Sequence, residues 1–206
     1  MSVRAVVFDM DGVLIDAREW HFHALNEALA LFIKPIHREE HLERFDGLPT
    51  RVKLEILERE GRLPRSLFEI VGAVKQERTL RLAARFCRPT VEHLILIGWL
   101  KSIGLKMGVA TNSIRLTTDA MLTWAGVRDS MDLILTNEDV VQPKPSPEIY
   151  LLAAERLGFS PEELLVIEDN ENGVKAAHAA GCKVRRVETP QDLNISTFLS
   201  ERLIED

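Results

Sequence analysis

Residues 5–15 read A-V-V-F-D-M-D-G-V-L-I and place two carboxylates, Asp9 and Asp11, directly after an apolar run. Residues 3–8 have the length and the Val and Phe content of a buried strand. Ionised carboxylates at the end of such a strand cost free energy unless they are paired, and a metal ion is an obvious partner. Gly12 permits a tight turn after the pair, so both side chains can reach one cleft. The pair suits nucleophilic attack by one carboxylate and proton transfer by the other, the alternative being two solvated aspartates in a loop.

Strand-like and helix-like segments alternate from about residue 91 onward. The pattern predicts helices at 91–102, 113–125, 146–157 and 172–180, and strands at 105–110, 133–136, 164–167 and 183–187. Glycines follow several of these helices, as is typical of helix C-termini. This alternation predicts an α/β fold with a doubly wound, Rossmann-like parallel sheet. Ligands of such sheets bind outside the carboxyl ends of the strands.

Residues 17–87 have a different character. They contain no convincing strand, are rich in Leu, Glu, Arg and Ala, and are broken by Pro- and Gly-containing segments at 34–35, 46–49 and 61–64. These features predict an inserted all-helical cap domain of about four helices. The α/β core would then comprise residues 1–16 and 88–206, and the cap could act as a lid over the carboxyl edge of the sheet.

Composition narrows the class of protein. The chain of 206 residues has a hydrophobic fraction of 46% and a net charge of −6. These values are ordinary for a globular protein and argue against a general binder of nucleic acid or of anionic membranes. Cys87 and Cys182 are far apart in the sequence and indicate neither a zinc site nor a disulfide framework. With no signal-like or membrane-spanning run, a cytoplasmic location is predicted; the sequence does not indicate an oligomeric state.

Polar groups also follow the predicted strands farther along the chain. Thr111, Asn112 and Ser113 come after the strand at 105–110, where hydroxyl and backbone N–H groups at a helix N-terminus can bind an anion. Ordinary helix capping is the alternative. Lys144 is flanked by two prolines that restrict its backbone, so its ammonium could neutralise a phosphate, or it could be a surface lysine in a rigid turn.

Glu168 and Asp169 end the strand at 164–167 and provide the oxygen ligands that Mg²⁺ prefers. Acids favoured by the dipole of the following helix are the alternative. Polar groups recur at the predicted carboxyl ends of several strands, and such a recurrence is improbable by chance. Together they favour one functional site.

The segments D-M-D-G-V-L, T-N-S, K-P-S-P-E-I-Y and E-D-N-E-N-G resemble, in order and spacing, the four motifs of the haloacid dehalogenase (HAD) superfamily. The position of the helical insertion is similar to that in the subgroup of β-phosphoglucomutase and sugar-phosphate phosphatases. The resemblance covers nearly the whole chain, and the four-motif set is highly specific. It implies phosphoryl transfer with Mg²⁺ as cofactor, which needs charge neutralisation and in-line positioning above all.

The resemblance implies a role for each motif residue. Asp9 would attack phosphorus and carry an aspartyl-phosphate. Asp11 would be the general acid/base and would offer its backbone carbonyl to Mg²⁺. A proton donor at this position favours phosphoryl transfer over dehalogenation, because a leaving alcohol needs a proton. Asp169 would bind Mg²⁺ with Asp9, and Glu168 would support the ion through water. The transferring phosphoryl group would be bound by Thr111, Asn112 and Lys144.

Signals in the cap concern the choice of substrate. His21 resembles a cap histidine of the mutase, with a structural histidine as the alternative. Gly47 to Arg51 resembles the specificity loop of the subgroup, where Arg51 could meet a second phosphate or carboxylate; a solvated arginine is the alternative. A solvent-facing surface is predicted for Lys75, Arg78 and Arg81.

One departure from the family pattern concerns Asp11. Many relatives have Ser or Thr shortly after the position matching Asp16, whereas this chain has Ala17 and Arg18, so we expect no hydroxyl contact to the acid/base. That departure favours hydrolysis over a mutase reaction. The sequence therefore predicts a Mg²⁺-dependent phosphatase whose partner is a small phosphorylated metabolite such as a sugar phosphate. The alternatives are a sugar phosphomutase of the β-phosphoglucomutase type and a non-catalytic phosphometabolite-binding or regulatory protein that retains the fold.

Overall fold

The computed structural model describes residues 2–199, and the chain divides into two compact units. A core unit contains the residues up to Asp16 and those from Cys87 onward, and a cap unit contains Ala17–Phe86. Cys87 thus lies one residue outside the cap, although the predicted cap included it. The physical reason is its thiol, which donates a hydrogen bond to the backbone oxygen of Met121 in the core unit at 3.4 Å.

The cap unit is helical throughout. Its helices are α1 (Arg18–Leu29), α2 (Arg38–Arg44), α3 (Thr50–Arg59) and α4 (Phe68–Phe86), with no strand between residues 17 and 86. They enclose an apolar core of their own that includes Leu25, Phe45 and Leu57, each at most 1% exposed. The predicted all-helical insertion is confirmed.

One parallel sheet organises the described part of the core unit. Its strands are β1 (Ala5–Phe8), β2 (Lys106–Ala110), β3 (Leu133–Leu135), β4 (Leu164–Glu168) and β5 (Lys183–Arg186), in the order β3-β2-β1-β4-β5. Strand β1 is central because A-V-V-F is apolar on both faces, as strands covered on both sides require. Ala5 is in register with Lys106 on one side and Leu164 on the other.

Helices cover the sheet and connect its strands. They are α5 (Val91–Ser102), α6 (Arg115–Trp124), α7 (Glu148–Leu157), α8 (Glu171–Ala180) and α9 (Ile195–Leu199). Helices α7 and α8 pack with Ala5 and Val7 in one apolar cluster. Val6 and Phe8 point to the opposite face of the sheet and are buried as well. The doubly wound parallel sheet predicted from the alternation of segments is therefore confirmed.

Parallel strands end at the same edge of a sheet, so the segments that follow β1, β2 and β4 meet there. The motif residues of the core unit lie in these segments or in the connection before α7. Within residues 2–199, every helix is too short or too polar to cross a membrane.

Candidate active site

The chain turns sharply after β1, and this turn places the two motif aspartates at the carboxyl edge of the sheet. Gly12 has a φ of 92°, which a side chain would strain, and its N–H donates to the oxygen of Ile15 at 2.7 Å. The N–H groups of Leu14 and Ile15 both donate to the oxygen of Met10 at 3.0 Å. The tight turn inferred from Gly12 is present.

Lys144 lies at the centre of the site and is 3% exposed, so it is not a surface lysine. Its Nζ donates to Asp9 Oδ1 at 2.7 Å, to Glu168 Oε1 at 2.6 Å and to the backbone oxygen of Ala110 at 2.7 Å. An ammonium has three donors, and all three are used. Lys144 thus links β1, β2 and β4 where these neighbouring strands end.

Glu168 is almost fully buried and is held from several sides. Its Oε1 also accepts a hydrogen bond from the Tyr150 hydroxyl at 2.8 Å. Its Oε2 accepts from the backbone N–H groups of Asp169 at 3.2 Å and of Asn170 at 3.3 Å. Both carboxylate oxygens are therefore engaged, and the position of Glu168 helps to fix the position of Lys144.

Helix α8 leaves room for this carboxylate only because residue 173 is glycine. A Cβ at Gly173 would lie 1.7 Å from Glu168 Oε1 and 2.0 Å from its carboxyl carbon. The close approach of a helix backbone to a buried acid thus depends on the absence of one methyl group.

The buried charges at the site perturb one another. Burial raises the pKa of Asp9, the Lys144 ammonium opposes this effect, and the carboxylates of Glu168 and Asp169 add to it. Burial acts to lower the pKa of Lys144, but the carboxylates of Asp9 and Glu168 outweigh it and hold that pKa well above its usual value. Lys144 is therefore a permanent cation among carboxylates that outnumber it.

This donor set fits a divalent metal ion. Asp9, Glu168 and Asp169 each offer a carboxylate oxygen, and these oxygens lie within 4.8 Å of one another. Buried oxygen ligands with excess negative charge are what Mg²⁺ prefers. Because both oxygens of Glu168 already accept hydrogen bonds from protein donors, Asp9 and Asp169 are the better candidates for direct contact. Glu168 is the better candidate for contact through water.

The loop after β2 differs in detail from the prediction. Helix α6 begins at Arg115 with Ile114 as its N-cap residue, so Ser113 does not cap it. Asn112 Oδ1 accepts from the backbone N–H of Lys144 at 3.2 Å, and its Nδ2 donates to the Lys144 oxygen at 3.5 Å. Asn112 therefore ties the Lys144 segment to β2. Phosphate binding by Thr111 and Asn112 stays a prediction.

The expected lack of a hydroxyl contact to Asp11 is wrong. Ser113 Oγ donates to Asp11 Oδ2 at 2.7 Å, although Ala17 has no hydroxyl to offer. The contact arises because β1 and β2 are adjacent and parallel, so the loops that follow them meet. Ser113 belongs to the T-N-S motif, but its position in the sequence predicts only a role at the helix N-terminus.

Tyr150 and Gly173 were also missed as residues of the site. Tyr150 is fully buried, and its ring centroid lies 4.9 Å from Lys144 Nζ in addition to its bond to Glu168. Two signals could have identified these residues: an aromatic residue with a polar group in a buried helix, and a glycine inside a helical pattern, which commonly has a packing reason.

Replacing Tyr150 by Phe is expected to lower the free energy of unfolding by about 1–2 kcal/mol, because Glu168 loses one buried donor while the ring is retained. Urea unfolding measures the effect. Ser102→Ala removes an exposed hydroxyl that bonds only locally to Trp99, and it should stay within about 0.5 kcal/mol of the parent. Equal stability of Tyr150→Phe and the parent would contradict a supporting role for the hydroxyl.

In the cap unit, His21 lies on α1 and is half-buried, with Nδ1 3.1 Å from Lys75 Nζ. Lys75 is half-buried against this ring, and Arg78 is half-buried beside Glu27, so their assignment to a solvent-facing surface is wrong; Arg81 is exposed, as predicted. Gly47 has a φ of 70° in the turn before α3. Arg51 lies in the first turn of α3, its side chain is 76% exposed, and its Nε is 3.2 Å from Glu55 Oε1. Substrate contacts of His21, Gly47 and Arg51 stay predictions.

The central strand of a parallel sheet is followed by an aspartate bound to a buried lysine, and two further acids lie at the end of β4; the protein is therefore an α/β protein with a charged site at the carboxyl edge of its sheet. The model of the haloacid dehalogenase-like hydrolase family matches residues 6–187. The chain therefore belongs to the haloacid dehalogenase-like hydrolase family, as predicted.

Individual relatives agree with this membership. The chain is 32% identical over 179 residues to a phosphorylated carbohydrates phosphatase of Thermotoga maritima, covering 87% of this chain and 82% of that protein. Its structure is similar to a variant of CbbY from Rhodobacter sphaeroides in complex with xylulose-1,5-bisphosphate, with a TM-score of 0.80, 28% identity and coverage of 93% and 90%. A β-phosphoglucomutase from Clostridium difficile, 21% identical, shares the fold with a TM-score of 0.82 and coverage of 98% and 97%. The predicted fold class is confirmed, and the phosphatase among these relatives agrees with the predicted enzyme class.

Proposed function

We propose that the chain is a Mg²⁺-dependent phosphatase that hydrolyses a small phosphomonoester, such as a sugar phosphate, through an aspartyl-phosphate on Asp9. The observation that carries the proposal is the bond of 2.7 Å between the buried Lys144 ammonium and Asp9 Oδ1, amid the acids that end β4. A fixed cation beside a carboxylate at the end of the central strand is suited to receiving a phosphoryl group.

Asp9 and Asp11 divide the chemistry between them. An Asp9 oxygen attacks phosphorus, the bond from phosphorus to the alcohol oxygen breaks, and Asp11 gives its proton to the leaving alcohol. Water then attacks the phosphorus, Asp11 accepts a proton from that water, and the bond to Asp9 breaks to release phosphate. Each turnover thus restores a carboxylate at Asp9 and a protonated Asp11.

Charge neutralisation comes from the groups around Asp9. The Lys144 ammonium gives up its hydrogen bond to Asp9 as that carboxylate bonds to phosphorus, and the freed N–H then binds a phosphoryl oxygen together with Thr111 and Asn112. Asp9, Asp169 and the backbone carbonyl of Asp11 would hold Mg²⁺, with Glu168 acting through water, and the ion would supply further positive charge.

The choice of substrate class is supported by the relatives. One of them is a phosphatase named for phosphorylated carbohydrates, and the CbbY structure contains a sugar bisphosphate. In a substrate with two anionic groups, Arg51 of the cap would bind the group that does not react, and His21 and Gly47 would shape the same region. A cytoplasmic location remains a prediction from the sequence.

The test is phosphate release from a panel of metabolite phosphates with Mg²⁺ present. We expect turnover of at least one sugar phosphate, and we expect EDTA to reduce it by about a hundredfold or more, with recovery on added Mg²⁺, because loss of the metal costs several kcal/mol of transition-state stabilisation. Isomerisation of a hexose phosphate without phosphate release would replace the phosphatase by a sugar phosphomutase. Well-folded protein that turns over no ester in the panel would favour a non-catalytic binding protein.

A further inference from the structure

The contact between Ser113 and Asp11 links two elements that are remote in sequence. Ser113 Oγ donates to Asp11 Oδ2 at 2.7 Å, across 102 residues of chain. This separation is typical of a good hydrogen bond between a hydroxyl and a carboxylate. Asp11 lies on the loop after β1 and Ser113 on the loop after β2, so the bond joins the acid/base to the neighbouring strand.

Ser113 is itself held in place by its backbone. Its N–H donates to Thr111 Oγ1 at 3.1 Å, and its carbonyl oxygen accepts from the N–H of Asn137 at 3.2 Å. Thr111 is 1% exposed at the end of β2, and Asn137 follows β3. The backbone of the serine is thus anchored beside the ends of β2 and β3, so the position of its Cα is set without the contact to Asp11.

We propose that Ser113 is a positioning residue that holds the Asp11 carboxyl for proton transfer to the leaving alcohol; this inference rests on the proposed function. With Oδ2 accepting the hydroxyl proton, the proton to be transferred belongs on Oδ1. In the first step the bond from this proton to Oδ1 breaks, a bond from the proton to the alcohol oxygen forms, and Asp11 is left as a carboxylate.

The Ser113 hydroxyl also stabilises the negative charge that develops on Asp11 in this step. A donor that bonds a carboxylate stabilises the ionised form more than the neutral acid. The bond from Ser113 to Oδ2 therefore strengthens as the proton leaves Oδ1, and it lowers the barrier to departure of the alcohol. An alcohol that leaves readily as an anion gains little from this assistance.

The experiment compares two substrates with Ser113→Ala: the alkyl phosphate that the parent turns over best, and p-nitrophenyl phosphate, whose leaving group needs no proton. The measured quantity is kcat/KM, because it includes only the steps up to release of the alcohol. We expect a fall of about tenfold for the alkyl phosphate, corresponding to one hydrogen bond to a charged group, and of less than about twofold for p-nitrophenyl phosphate. Ser113→Thr retains a hydroxyl and should stay within about threefold of the parent on both substrates, because its hydroxyl can make the same bond. Ser102→Ala should match the parent.

Equal losses on the two substrates would overturn the inference, since they would indicate contact with the phosphoryl group or a damaged fold. A rise in KM with unchanged kcat would overturn it in favour of substrate binding by the hydroxyl. Unchanged kinetics would show that the hydroxyl is immaterial. If the parent protein is active and any of these outcomes is found, only this inference fails and the proposed phosphatase function is retained. If the parent has no Mg²⁺-dependent activity, both the proposed function and this inference are overturned.

Discussion

Replacing Asp9 by Asn is expected to lower kcat for phosphate release by at least about a thousandfold, because an amide cannot form the covalent bond to phosphorus. The fold should be retained. The amide has the shape of the carboxyl group and can still accept a hydrogen bond from Lys144, and the substitution removes one of the buried acids that crowd this edge of the sheet. Steady-state turnover with Mg²⁺ measures the loss.

A second measurement distinguishes the nucleophile from a binding residue. Acid quenching during turnover of a labelled phosphate ester should leave base-labile label on the parent and none on Asp9→Asn. Asp129→Asn is the matched control, since Asp129 is exposed in the short turn at residues 128–130 and should leave both turnover and labelling unchanged. Near-normal turnover by Asp9→Asn would remove Asp9 from the role of nucleophile.

Replacing Gly173 by Ala is expected to lower the free energy of unfolding by about 1–3 kcal/mol, because overpacking forces a buried group to move. The added Cβ would meet the carboxylate of Glu168 at 1.7 Å, and Glu168 holds Lys144 at 2.6 Å. The displacement should therefore reach the ammonium beside Asp9, and we expect turnover to fall by about tenfold or more, as misplaced catalytic groups commonly cost. Urea unfolding and steady-state turnover measure the two effects.

Gly98→Ala is a control that makes the same substitution in another helix, and we expect the opposite change in stability. Gly98 lies within α5, is exposed, and has no atom within 4 Å of an added Cβ. Gly98→Ala should therefore raise stability by about 0.5–1 kcal/mol through helix propensity, without changing turnover. If both glycine variants changed stability in the same direction, the packing of Glu168 against α8 would not be the cause.

The sequence predicted the strands and the acids at their ends well, because both depend on local chemistry. A-V-V-F is apolar over its full length, and L-L-V-I ends in Glu168 and Asp169, so burial and polarity change abruptly where the strands end. The tight turn at Gly12 was also readable, since few residues other than glycine adopt its φ.

Helix starts were less predictable because tertiary contacts compete for the capping groups. Helix α6 begins at Arg115 rather than Ser113, since the Ser113 hydroxyl bonds to Asp11 and the N–H of Arg115 bonds to Glu138. Helix α7 begins at Glu148 rather than Ser146. The Glu148 side chain accepts the N–H groups of residues 141 and 142, each at 2.8 Å, and closes the preceding loop.

The sequence could mark some of the site residues as unusual, but it could not show which distant residue each of them contacts. No local pattern shows that Tyr150 supports Glu168, or that the Ser113 hydroxyl contacts Asp11. Both contacts depend on the order β3-β2-β1-β4-β5, which decides the loops that become neighbours. In the cap, the sequence predicted that Lys75 faces solvent. Its contact with His21 was not readable because the two residues are 54 positions apart.

The three hydrogen bonds of Lys144 have a consequence for the timing of entropy loss. A lysine side chain forfeits about 2 kcal/mol of rotamer freedom when it is immobilised. Here Asp9, Glu168 and Ala110 immobilise it as the chain folds. The side chain of Lys144 therefore loses little further conformational entropy when a phosphate binds. More of the free energy of their electrostatic attraction is then available for binding the ester and for catalysis.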